Sequence, residues 1–70
     1  MPAYQFDIGD RVVITVDLDE WVKAGTAGEV IDRTQTVNGN IYRVLCDLIP
    51  NDPYGKQRKR MVSETQLAPE

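Results

Sequence analysis

The 70-residue sequence predicts an all-β fold: a small barrel of four to five antiparallel strands with one short helical turn near the C-terminus. Two observations carry this expectation. Runs rich in β-branched and apolar residues are separated by glycine, proline, asparagine and aspartate clusters, the punctuation of short strands. In the clearest run, Ile41 to Leu48, apolar residues alternate at the period of a half-buried strand. A sheet of so few strands must close or curl to hide its apolar face and its edges.

Taken in order, Asp10 to Val16 follows the turn signal Gly9-Asp10 and reads as the first strand. The segment from Asp17 to Gly25 is polar with isolated apolar anchors and is closed by Gly25 and Gly28, so it reads as a long loop. Glu29 to Arg33 is the second strand. Val37-Asn38-Gly39-Asn40 carries an Asn-Gly hairpin signal, because both residues tolerate positive φ. In the third strand, Ile41 to Leu48, the set Tyr42, Val44, Cys46 and Leu48 is expected to face the core. Residues 50–55, with two prolines, form a rigid turn, and Lys56 to Val62 is the fourth strand. Ser63-Glu64-Thr65-Gln66 has capping-box spacing for one helical turn, after which Leu67 can plug the barrel end.

Seventy residues make a single domain, 1–70, with the barrel proper over about 6–67. A chain of this size hides only about 60% of the surface its unfolded form exposes, which leaves little apolar area for an enclosed active site. No apolar run approaches the ~20 residues of a membrane span. The first seven residues lack the basic start and apolar stretch of a signal peptide. With a single cysteine, Cys46, these features give the expectation of a cytoplasmic protein that does not contact a membrane.

The order of motifs resembles the SH3-like small barrels, KOW-type modules and short bacterial proteins among them. Phe6 to Ile14 gives an apolar residue, Gly-Asp and a valine-rich strand. Ala24 to Ile31 is similar to the Gly-x-x-Gly-x-Val turn and strand of that group. Tyr42 to Asp47 and Val62 to Leu67 complete the pattern, so the resemblance spans residues 6–67. It implies a binding module and no particular activity, because one fold hosts many functions. Type II dihydrofolate reductases, tetramers with a pore lined by Val-Gln-Ile-Tyr, share the Gly-Asp-Arg-Val found here at Gly9 to Val12. This chain has Arg60-Met61-Val62-Ser63-Glu64 in the pore region, and so departs from that family where its activity resides.

The chemistry narrows further by residue type. The sequence holds no histidine, which excludes histidine-based triads and general bases. With one cysteine it also excludes ordinary structural zinc sites. No catalytic residue, cofactor or metal is expected. Asp17, Asp19 and Glu20 form an acidic loop, read as solvated, against a weak calcium site or a dock for a basic partner; the spacing lacks the pattern of an EF-hand. Gly25-Thr26-Ala27-Gly28 precedes a strand rather than a helix, which favours a tight turn over a phosphate loop.

Net charge is −3, yet Lys56, Arg58, Lys59 and Arg60 hold half of the eight basic residues within five positions. If Val62 enters the core, Arg58 and Arg60 share its face and Lys59 projects outward. This strip reads either as a charge-protected edge strand or as a contact for phosphate or an acidic protein. Trp21 in the long loop and Tyr54 beside the strip are candidate interface anchors.

The partner-binding candidates are therefore Trp21, Tyr54, Lys56, Arg58, Lys59 and Arg60. The leading expectation is a non-catalytic protein-interaction module, an adaptor or accessory subunit, with homo-oligomerisation open. The alternative is a nucleic-acid-associated KOW-type module, against which the low net basicity counts.

Overall fold

A computed structural model describes residues 3–50 and 52–70; Met1, Pro2 and Asn51 of the 50–55 turn lie outside the described residues. The strands are β1 (Arg11–Ile14), β2 (Ala27–Thr36), β3 (Gly39–Cys46), β4 (Lys59–Ser63) and β5 (Leu67–Pro69), with a 3-10 turn at Glu64–Gln66. They form one antiparallel sheet in the order β4-β3-β2-β1-β5. The all-β expectation and the single late helical turn both hold.

The turn of Glu64–Gln66 joins the two end strands of the ladder, and this forces the sheet to curl. From Ser63 to Leu67 the chain can span at most about 14 Å. The two edges of a flat five-stranded sheet would stand about 19 Å apart. The curled sheet encloses a core of Phe6, Val12, Ile14, Val22, Val30, Tyr42, Val44, Cys46, Val62 and Leu67.

Several boundaries differ from those expected. β3 runs over Gly39–Cys46, so Tyr42, Val44 and Cys46 are buried as expected. Leu48 lies beyond the strand and is 57% exposed. At the other end of the strand, Asn40 continues the inward set before Tyr42 and is buried. The reversal falls at Val37 and Asn38, with Gly39 at φ 114. There the Thr36 hydroxyl donates to the Gly39 carbonyl at 2.9 Å and accepts from Asn38 N–H at 3.1 Å. β2 is twice its expected length and carries a bulge between Val30 and Asp32. β4 begins at Lys59 rather than Lys56. Gly28 lies inside β2 rather than in a turn, and glycine is required there because a Cβ would stand 2.7 Å from the Leu45 carbonyl oxygen and from a Val44 methyl.

A short strand extends the sheet at its β1 edge where only a plug at Leu67 was expected. Leu67 fills the core end, and β5 pairs with β1 from Ile14↔Leu67 to Val12↔Pro69. Its free edge offers no backbone donor: Leu67 N–H turns back to the Glu64 carbonyl, and Pro69 has none. Among the described residues, no helix is long and apolar enough to cross a membrane.

One end of the curled sheet is organised around a buried hydroxyl. Tyr42 Oη donates to Glu64 Oε2 and accepts from Gln5 N–H at 3.0 Å and Phe6 N–H at 3.2 Å. Asn40 Nδ2 donates to Glu64 Oε2 at 2.9 Å and to the Ala3 carbonyl at 3.0 Å. The Phe6 ring meets Tyr42 edge-on at 5.5 Å, and Arg33 lies 4.3 Å over Tyr4 while bonding the Phe6 carbonyl and Asp7. The segment preceding β1 is thus strapped across this end.

The Tyr42 hydroxyl and, next, Asn40 hold the Glu64 carboxyl below its ordinary range. Its contribution is present above the ordinary carboxylate pKa and is lost as pH falls through the lowered one. Tyr42→Phe leaves the Glu64 carboxylate short of a donor and Phe6 N–H short of an acceptor, while Gln5 N–H keeps Glu64 Oε2 at 3.1 Å. Urea unfolding at neutral pH is expected to show a loss of about 1–3 kcal/mol. The loss should shrink in acid, where Glu64 is protonated in both proteins.

Candidate functional site at the loop end

The opposite end carries the 15–26 and 47–58 loops, and the sequence-derived candidates converge there. The inward parity of β4 decides how. Val62 pairs with Tyr42 and is buried, so Arg60, opposite Val44, turns to the same inner face. The Cys46 N–H to Arg58 carbonyl bond, 2.8 Å, continues the ladder and gives Arg58 the same parity. Lys59 and Met61 project outward and are exposed.

Neither arginine is left to face solvent alone. Arg60 Nε donates to Asp19 Oδ2 at 2.6 Å, tying β4 to the 15–26 loop. The other oxygen of Asp19 accepts Trp21 N–H at 2.8 Å and Val22 N–H at 2.9 Å. One carboxylate therefore shapes the loop and anchors it, while Val22 enters the core beneath. Backbone N–H groups, that of Val22 foremost, and then Arg60 lower the Asp19 pKa to about 2.

Arg58 makes a side-on pair with Asp52, through Nε at 2.8 Å and Nη2 at 3.2 Å. The Asp52 side chain is 0% exposed and that of Arg58 12%. Asp52 also accepts Tyr54 N–H at 2.8 Å, which sets the turn ahead of β4. Arg58, and then that N–H, lower the Asp52 pKa. The guanidinium lies 4.7 Å from the Trp21 ring centroid and 5.8 Å from that of Tyr54. Arg58 is thus the link between an aromatic of each loop, an arrangement its planar cation suits.

The six candidate residues now separate by role. Arg58 and Arg60 are fasteners, and Trp21 is half-buried against the core with Arg58 on its ring. Tyr54, 72% exposed, and Lys56, 6.0 Å from its ring, form the outward surface. Lys59 lies on the other face of the end strand β4, where a charge protects a free edge. Asp17 accepts Ala24 N–H at 2.9 Å, so two of the three loop acids organise the loop itself. Glu20 is exposed.

Two features of this end had no sequence signal beyond residue type. Arg11 holds Asp47 with both of its terminal nitrogens and Glu70 through Nε at 2.8 Å. Beside this triad, a groove of about 320 Å³ opens between Ala24, Gly25 and Thr26 on one side and Asp47, Leu48, Ile49 and Pro50 on the other. The Cys46 thiol is buried, and desolvation raises its pKa.

With its pKa lowered from an ordinary 3.8 to about 2, Asp19 contributes stability above pH ~4 that is lost as pH falls toward 2. Solvent screening of this partly exposed pair reduces the contribution to on the order of 1 kcal/mol. Asp19→Asn is expected to flatten the acid limb of a denaturant-derived stability profile by about that much. An unchanged acid limb would show that Asp19 does not fasten the loop.

Comparison with models of protein families, with curated proteins and with solved structures finds no match to this chain.

Proposed function

We propose that this chain is a non-catalytic protein-interaction module, a small adaptor or accessory subunit that meets its partner with the loop end of the barrel. The supporting observation is that Asp19–Arg60 ties the 15–26 loop to β4 while Asp52–Arg58 braces the 47–58 loop just ahead of that strand, with Trp21 and Tyr54 held against Arg58. A surface already ordered in the free protein spends less binding energy on immobilising loops. It also displays an exposed tyrosine beside a lysine, residues of the kind that anchor interfaces.

The non-catalytic part of the reading draws on the absence of histidine and on a thiol that desolvation keeps protonated. The nucleic-acid alternative loses support because Arg58 and Arg60, half of the basic strip, are already ion-paired. The remaining pair, Lys56 and Lys59, sits on a chain of net charge −3.

The test is selection of a random peptide library on the folded protein, followed by amide-shift mapping of the selected peptides. Oligonucleotides of DNA and RNA are titrated in parallel across a salt series. The expected result is peptides that shift residues of the 15–26 and 47–58 loops. Binding should weaken about tenfold or more on replacing the residues they contact, as interface anchors do. Oligonucleotide binding with a log–log salt slope near −2, lost on reversing Lys56 and Lys59, would overturn the reading in favour of nucleic acid.

A further inference from the structure

We propose that the groove beside Leu48 is the docking site for an apolar side chain carried on a basic segment of the partner protein. This rests on the reading of the loop end as a protein-binding surface, and it commits that reading to one pocket and one chemistry.

The pocket is preformed. Gly25 N–H donates to the Ile14 carbonyl at 2.7 Å, and the Thr26 hydroxyl donates to the Lys23 carbonyl at 2.7 Å, fixing one wall. Asp47 N–H donates to the Ala27 carbonyl at 2.8 Å, fixing the other. Ile49 packs against the core, while Leu48, next to it, is 57% exposed. Gly25 has φ 94 and open space where a Cβ would stand, so the lip of the groove carries no side chain to block entry. At about 320 Å³ the space sits at the small end of the ~300–1,000 Å³ range of ligand pockets. Its mouth is open, with Gly25 and Pro50 exposed, which suits a side chain projecting from a chain laid across the surface.

The charge of the occupant follows from the wall. Asp47 lines the groove, and it shares the single guanidinium of Arg11 with Glu70. Two carboxylates on one cation leave a net negative charge there. All three side chains are between 42% and 46% exposed, so an incoming cation can reach them. The chain as a whole carries −3, which steers a basic segment toward it and repels an acidic one. Lys23, exposed one residue before the groove wall, is the local charge that opposes this preference.

The test uses the labelled full chain and synthetic peptides with a single leucine flanked by lysines, set against the same peptide with glutamates and one with glycine for leucine. Amide shifts are followed at low salt. The lysine–leucine peptide is expected to move Gly25, Thr26, Leu48 and Ile49 and to bind about tenfold or more tightly than either control. Leu48→Ser should weaken it with no change in thermal midpoint, because Leu48 is largely exposed, and Lys23→Glu should tighten it. Equal binding of the lysine and glutamate peptides, no effect of Leu48→Ser, or shifts outside the groove would overturn the proposal. Library-selected peptides that map to Tyr54 and Lys56 with a silent groove would overturn this inference and leave the protein-interaction reading standing. If no library peptide moves a loop-end residue, that reading fails as well.

Discussion

The loop end of this molecule depends on the parity of one short strand. β4 lays Val62 into the core opposite Tyr42, and every second residue before it must then face inward. Those residues are Arg60 and Arg58, whose side chains are 29% and 12% exposed at the loop end of the sheet. An inward cation there is costly unless it is paired. The acids that pair them come from the two long loops: Asp19 ties the 15–26 loop to β4 through Arg60, and Asp52 braces the 47–58 loop through Arg58, one residue ahead of β4. A register slip of one residue would turn Lys59 and Met61 inward and release both loops.

Ten of the described residues form the buried core, and the two long loops and the terminal strap are held by polar contacts as well. The strap is held by the node around Tyr42 and Glu64 and by Arg33, and the loops are held by arginine–carboxylate pairs. All the ion pairs among the described residues use arginine, at positions 11, 33, 58 and 60. The planar fork lets one side chain serve two partners, as Arg11 does with Asp47 and Glu70, or pair and stack at once, as Arg58 does. Lysines 23, 56 and 59 make none of these pairs and stay on the exposed surface.

The alternation of Tyr42, Val44 and Cys46 and the capping spacing at Ser63 made the sheet and its late turn legible from residues alone. The shared face of Arg58, Arg60 and Val62 was legible for the same reason, since side-chain parity in a strand is fixed by period two. What alternation could not reveal was where it stops. Leu48 continues the pattern in sequence but leaves the sheet, because the ladder ends at Cys46. Asn40 breaks the apolar pattern yet occupies the inner face, its amide donating to Glu64 and to the strap. The site was half legible: residue types marked Trp21, Tyr54 and the basic strip. The pairing of Arg60 with Asp19, 41 residues apart, and the groove at Leu48 arise only from the folded approach of the loops.

The most direct test is nuclear magnetic resonance of the Arg58 side chain in the folded protein at neutral pH. If Arg58 is held between Trp21 and Tyr54 on Asp52, its Nε–H exchanges slowly with water and its side-chain protons are shifted upfield by the two rings. Both signatures should disappear in Asp52→Asn, while the resonances of the core residue Val44 stay in place. An Arg58 Nε–H that exchanges as fast as that of a free arginine, at random-coil shifts, would contradict the account. The basic strip would then be a free cationic surface, and the loops would owe their order to something else.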